Sequence, residues 1–509
     1  MKVSQRKIGA ILSYVVIALN MIVGIAYIPF LTRMLGQAEY GLYSIIKSIM
    51  AYLTIMDMGF GNAIIIYTAR YVNQKDKEKE NKLHGMFFII YCIIGICASI
   101  IGIILFFNVN NLFGNSMNDT EIEEAKIMML ILTFNLAITF PFSIFGNILT
   151  AYEEFIINKI VKIIQIILQP LVMIPLLLLG YKAVAMSVVL TIVNVFCLLL
   201  NAIVCVRKLK IRLKFTGFDF SVLKEIFKYS FFIFLNQVID RINWTLDQFI
   251  LGSICGTVAT SIYAVASQLN YMYMSFSTAI SGVMLPKVTK MEDNKATNEE
   301  FTEIFIRTGR IQYILLGLVI SGFVLFGRAF INLWVGDAYG DSYIIACILL
   351  IPMTIPLIQN IGLSILQAKN LYKYVIMIFS GIAILNIAMS IPLAKAYQGI
   401  GAAIGTSISL ILGQGVVLNI YFKKIGIDMI EFWKNFFVMS LPIILTFLIG
   451  IVINKIIVSN SIFYLISKIG LYTMIYALFM WLLGMNKYEK NLIIKPIKKL
   501  LEKKKSIKV

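Results

Sequence analysis

The stretch GMFFIIYCIIGICASIIGIILFF, Gly85–Phe107, holds no charged side chain. A run of that length crosses the roughly 30 Å hydrocarbon core of a bilayer as one helix. Charge stands on both sides of it. The residues before it read NQKDKEKENKLH (Asn73–His84), and the segment after it carries Asp119, Glu121, Glu123 and Glu124. The same alternation of apolar run and short charged connection continues along all 509 residues. It places fourteen helices, at 8–32, 40–69, 84–107, 126–149, 157–180, 182–206, 225–251, 256–285, 305–329, 342–366, 371–394, 399–422, 433–455 and 462–484. Backbone polar groups must be satisfied within lipid, and these runs do not alternate as barrel strands do, so the expected fold class is all-α and integral to the membrane.

Composition agrees. Hydrophobic residues make up 60% of the chain and charged residues 14%, against about 45–50% and about 25% in soluble domains. The formal net charge of +19 lies mostly in short loops and tails, which points to anionic lipid headgroups and topology and away from nucleic acid. The six cysteines (92, 97, 197, 205, 255 and 347) form no CxxC pair and read as small buried hydrophobes. The first apolar run follows Met1–Lys7 without a small-residue cleavage site, so it reads as an uncleaved helix.

With the N-terminus inside, the outer segments keep only Arg33, Lys126, Lys182, Arg328, Lys395, Lys455 and Lys468. Nearly all the other lysines and arginines fall on inner segments, including a basic amphipathic tail at 487–509. That bias orients both termini to the cytoplasm of a cell or plasma membrane and requires an even number of helices. The chain also repeats itself at an offset of about 216 residues: Leu35-Gly36 with Leu251-Gly252, Pro141 with Pro356, Gly146 with Gly362, Pro175-Leu176 with Pro392-Leu393, and Tyr181 with Tyr397. A repeat of six helices gives two parallel lobes, at 1–210 and 211–424. Helices 13 and 14 (425–486) are an appended pair and 487–509 a cytoplasmic tail. Prolines in several helices favour bends.

An ionisable side chain at the bilayer centre costs at least about 2.5–3.5 kcal/mol, so those within helices mark wet surfaces or partners. Helix 2 carries Lys47 and Asp57. In helix 7, Asn236, Asp240, Asn243 and Asp247 share one stripe, and Gln237, Arg241, Trp244 and Gln248 the adjoining one. These two helices come from different lobes, so both can face a cavity between them. In one reading Lys47 and Arg241 bind an anionic group such as phosphate, with Asn236, Gln237, Asn243 and Gln248 around it, and Asp57, Asp240 or Asp247 binds a coupling H+ or Na+. In the other, Arg241 pairs with a neighbouring aspartate in a neutralised network. Gly59 and Gly61 in MDMGFGNA either loosen helix 2 or admit a close neighbour, and close packing is the favoured reading. Gln165 and Asn194, among other polar positions, either line the cavity or hold helices together. His84, the one histidine, reads as incidental. The chain has no GxxxxGK[ST] loop, no HExxH and no residues for a Ser/His/Asp set, so no catalytic, metal or cofactor site is expected and it reads as a transporter rather than an enzyme.

The stretch LGQAEYGLYSIIKSIMAYLTIMDMGFGNAIIIYTARYV (Leu35–Val72) resembles the start of bacterial polysaccharide-biosynthesis membrane proteins, the Wzx-type oligosaccharide flippases. PFSIFGNILTAYEEF (Pro141–Phe155) is similar to the fourth-helix region of that family. Their superfamily includes the multidrug-and-toxin extruders and the lipid II flippase. The resemblance implies a cargo of undecaprenyl-diphosphate-linked oligosaccharide, turned from inner to outer leaflet for surface polysaccharide synthesis. It also implies that cavity cations bind the carrier while acidic residues assist ion coupling, and it brings other polysaccharide-assembly membrane proteins into view as partners. Three alternatives stand beside it: a cation-coupled drug exporter, a lipid II-type flippase, and a membrane polymerase or ligase. The exporter would want an acid-dominated cavity, and the polymerase or ligase a large basic outer loop where this chain has a short acidic one.

Overall fold

The computed structural model describes residues 2–218, 220–456 and 461–495, and among the described residues there is no strand. The helices are α1 (Lys2–Leu53), α2 (Phe60–Gln74), α3 (Lys77–Phe113), α4 (Asp119–Ala151), α5 (Phe155–Leu178), α6 (Ala183–Arg207), α7 (Phe220–Ile254), α8 (Gly256–Asp293), α9 (Asn298–Trp334), α10 (Asp341–Ile358), α11 (Asn360–Ala368), α12 (Tyr372–Leu410), α13 (Leu418–Lys424), α14 (Met429–Ile456) and α15 (Ile462–Phe479). Residues 487–495 of the basic tail are also helical, and 496–509 lie outside the described residues. Ten of the helical stretches are long and apolar enough to cross a membrane.

Breaks fall where local chemistry permits them. Gly36 interrupts α1 at φ 75 and ψ 177, a conformation open to glycine. Tyr397 and Gln398 interrupt α12 in the same way. Gln398 is left-handed, as is Gly180 beside Tyr181, the tyrosine that corresponds to Tyr397 in the sequence repeat. Two expected helices are discontinuous. The run at 40–69 leaves α1, passes through a 3-10 turn at Thr54–Asp57, and restarts as α2 after left-handed Met58 and Gly59. The run at 342–366 breaks at Gln359, between α10, which contains Pro352 and Pro356, and α11. A proline ring removes a backbone donor and crowds the preceding turn, which weakens the ladder there.

Helix ends are capped by side chains as sequence chemistry dictates. Asn118 and Glu121 form a capping box on α4, and Thr297 and Glu300 one on α9. Glu39 caps α6 from a distant part of the chain, accepting from the Ala183 amide at 3.1 Å while bridging Lys182 at 3.0 Å. That carboxylate raises the pKa of the Lys182 ammonium.

The chain divides into two compact units, one formed by residues 1–264 with 387–402, the other by 265–386 with 403–509. In the first, α3 packs on α4, α4 on α6, α5 on α1 and α6, and α7 on α1. Its lipid-facing stripes are plain. On α5, Ile160, Ile167, Leu171, Ile174 and Leu178 are exposed, and on α6, Ile192, Phe196, Leu199, Ile203 and Val206. The connection after α6 lies along α3. The Lys214 amide donates to the Asn81 carbonyl at 3.0 Å, its ammonium bridges Glu78 at 3.1 Å, and Phe215 meets Phe88 edge-on. A Cβ on Gly85 would lie 2.1 Å from the Lys214 carbonyl oxygen, so only glycine admits this contact.

In the second unit α9 packs on α10, α14 and α15. Phe326, Leu465 and Tyr472 form one buried cluster and Met439, Tyr476 and Met480 another. The tail helix is held by an ion pair. Arg310 of α9 donates to both carboxylate oxygens of Glu489, at 2.6 and 3.0 Å, and to the Gly484 carbonyl at 2.8 Å.

Candidate functional site

The residues proposed from sequence fall into three places within the first unit. Between Gly41 and Met50 every residue of α1 is buried except Lys47, which is exposed. The ammonium stands 5.8 Å from the centroid of the buried Tyr43 ring.

Arg241 is also exposed, on α7. Its guanidinium reaches Thr54 Oγ1 at 3.5 Å, and its backbone carbonyl accepts from the Tyr52 hydroxyl at 3.4 Å. Thr54 follows Lys47 by two helical turns, about 10 Å along the axis and on the same face. Arg241 thus touches the chain two turns beyond Lys47. Among the described residues neither has an ion-pair partner, since the salt bridges involve other side chains.

Asp57 has a structural task. Its carboxylate accepts from the Tyr91 hydroxyl at 2.6 Å and from the backbone amides of Gly59 and Gly61. It thereby satisfies the first amides of α2 and holds the two halves of the broken helix in register. Gly59 serves both readings offered for it. Its φ of 72 makes the break, and a Cβ there would lie 2.5 Å from Ile233 of α7.

The α7 stripe is not uniformly wet. Asp240 and Arg241 are exposed, Asn236, Gln237 and Gln248 are half-buried, and Asn243 and Asp247 are buried. The later part of the stripe turns into the protein because α7 closes on its neighbours there. A Cβ on Gly252 would meet Ile45 at 2.7 Å, and the Gly252 carbonyl accepts from Ser116 at 2.7 Å. Asp247 accepts a hydrogen bond from the hydroxyl of Tyr263 on α8. The Asn243 side-chain oxygen, Oδ1, is buried without a hydrogen-bond partner. Sequence reasoning missed Tyr52, Thr54, Tyr91 and Tyr263, whose polar atoms sit in apolar runs that give no signal of contact.

Comparison with solved structures places the fold. The chain is similar to the lipid II flippase MurJ in an inward closed conformation, with a TM-score of 0.74 at 19% identity, covering 96% of this chain and 99% of that one. An inward-facing MATE family multidrug resistance transporter of the MOP superfamily matches at 0.61 and 15% identity, over 79% and 98%. The class is thus an all-helical, multi-pass membrane protein with the fold of those structures. Within it, residues 30–344 match the family described as polysaccharide biosynthesis protein, and the chain belongs to that family. A Shigella flexneri relative named "Putative O-antigen transporter" is 23% identical over 423 residues, 81% of this chain and 96% of its own length.

Proposed function

We propose that this protein flips undecaprenyl-diphosphate-linked oligosaccharide units from the inner to the outer leaflet for surface polysaccharide synthesis. The observation that carries the reading is the pair of exposed cations, Lys47 and Arg241, set among apolar helices and, among the described residues, outside any ion pair. A cation in that position is costly unless it meets water or an anion, and a diphosphate supplies four oxygens for a guanidinium fork and an ammonium. A polyprenyl tail stays in the lipid, so only the headgroup needs a polar route. Counting α1 and α12 as two spans each, and adding α7 and α8, the ten apolar stretches become fourteen, with both termini cytoplasmic. The lobes at 1–210 and 211–424 then alternate access, with 425–486 appended. Asp57, Asp240 and Asp247 are the candidates for H+ or Na+ coupling, and Asp57 also supports the broken helix.

The test is reconstitution in proteoliposomes with labelled carrier-linked glycan. Arg241→Ala is expected to slow flipping by roughly 10–100-fold, the equivalent of one charge-assisted contact of about 1.5–3 kcal/mol, while the protein still folds. Parental flipping by that variant would remove Arg241 from cargo binding. Export of a fluorescent cation without glycan flipping would replace this reading with a drug exporter.

A further inference from the structure

A second cationic cluster lies on α5, and nothing in the assignment above uses it. Lys162 stands two turns into the helix, about 10 Å from its start. It is exposed, and it lies off the exposed apolar stripe of its helix. The exposed apolar residues Ile160, Ile167, Leu171, Val172, Ile174 and Leu178 project roughly 80–180° around the axis from it. Lys159, one turn earlier, also lies off that stripe and is half-buried. Among the described residues neither lysine has an ion-pair partner.

Behind Lys162 runs a directional chain of hydrogen bonds across three helices. Its ammonium donates to Gln165 Oε1 at 2.9 Å. Gln165 Nε2 donates to Asn194 Oδ1 of α6 at 3.4 Å. Asn194 Nδ2 donates to Asn135 Oδ1 and Thr139 Oγ1 of α4, each at 2.7 Å, and Thr139 closes on the Asn135 carbonyl at 2.7 Å. Every link points its acceptor oxygen back toward the lysine. Aligned amide dipoles of this kind reinforce one another and stabilise positive charge at the lysine end. A network built only to tie helices together has no need of a cation at its open end.

We propose that Lys159 and Lys162 form a loading station for the diphosphate headgroup of the lipid-linked cargo, separate from Lys47 and Arg241. The station rests on the transport reading above and deepens it. α5 begins at the side that charge bias makes cytoplasmic, so the station receives the headgroup on the leaflet where cargo is made. The Gln165 amide oxygen fixes the Lys162 ammonium in place, and Lys159 adds a second positive charge one turn away.

The experiment uses the full chain, with farnesyl diphosphate as the binding probe and inorganic pyrophosphate as its tail-less control, measured by calorimetry. Flipping of labelled carrier-linked glycan is followed in parallel. Lys162→Gln keeps a hydrogen-bond donor toward Gln165 but loses the charge, so a merely structural role tolerates it. The station requires this variant to bind farnesyl diphosphate at least about 10-fold more weakly, Lys159→Gln with Lys162→Gln weaker still, and Lys162→Arg within about 3-fold of the parent. The flipping defect of Lys162→Gln should shrink as cargo concentration rises. If the parent flips cargo and Lys162→Gln matches it in both assays, the station is wrong and the transport reading stands. If the parent binds the probe through Lys162 yet flips nothing, the diphosphate site stands, but the transport reading falls and the loading role falls with it. A parent that binds no diphosphate overturns both.

Discussion

Glu489→Leu should release the tail helix from the second unit. The Arg310 and Glu489 side chains are only 8% and 3% exposed, and they share two short contacts. Glu489 also accepts from the Asn486 amide at 2.8 Å, and its own amide donates to Asn486 Oδ1 at 2.9 Å, which caps the tail helix. Substitution by leucine leaves the guanidinium with the Gly484 carbonyl and Asn435 Oδ1, at 2.8 and 3.3 Å. Removing one member of a buried pair costs about 3–5 kcal/mol, because the other charge stays dry and uncompensated. The protein relieves that cost by opening locally, so the open fraction of the tail should rise by more than 100-fold, each 1.4 kcal/mol being worth about tenfold. Limited trypsin cleavage at Lys487 and Lys490 reads this directly, since the rate follows the open population when reclosing is fast. Pairing the change with Arg310→Met removes the stranded charge and should bring cleavage back to within about tenfold of the parent. Parental cleavage of Glu489→Leu, or a double variant as labile as the single one, would refute the reasoning.

Three further outcomes follow from contacts in the first unit. Tyr91→Phe strips one donor from the Asp57 carboxylate and should cost about 1.5–3 kcal/mol, seen as a lower thermal midpoint in detergent. Gly59→Val places a β-branched residue at φ 72 against Ile233, so folded yield should fall sharply, and adding Ile233→Ala should recover only the steric part. Gly41→Ala puts a Cβ 1.9 Å from the Thr257 carbonyl oxygen, where no side chain can move aside, and should reduce the monodisperse fraction on size-exclusion chromatography. Gly146→Ala, with nothing nearer than 3.6 Å, serves as the tolerant control.

Much of the fold is legible in the sequence because lipid leaves the backbone one solution, and a run such as Gly85–Phe107 can only be a helix. The discontinuities are less legible. Asp57 reads as a buried charge in search of a mobile ion, but it caps the restart of its own helix, and that depends on Tyr91 arriving from α3. The α7 stripe has the right periodicity and the wrong uniformity. Periodicity says which residues share a face, but the tight α7 contacts at Gly252 decide that Asn243 and Asp247 are covered. Arg310 counts toward topology in the sequence, whereas its buried partner lies 179 positions away. Lys162 likewise reads as one more charge of an inner segment, since nothing in the spacing joins it to Asn194 and Asn135.

The binding of Lys214 to α3 bears on how this protein can be tagged. A reporter inserted between 208 and 217 would have to break the Asn81 contact and lift Phe215 from Phe88, so it would report on a damaged transporter. Among the described residues the turn at 293–297, where Lys295 is exposed and left-handed, has no such tie of its own, the nearest being the Glu292–Lys369 ion pair just before it, and it is where a fluorescent label or split-protein fragment belongs.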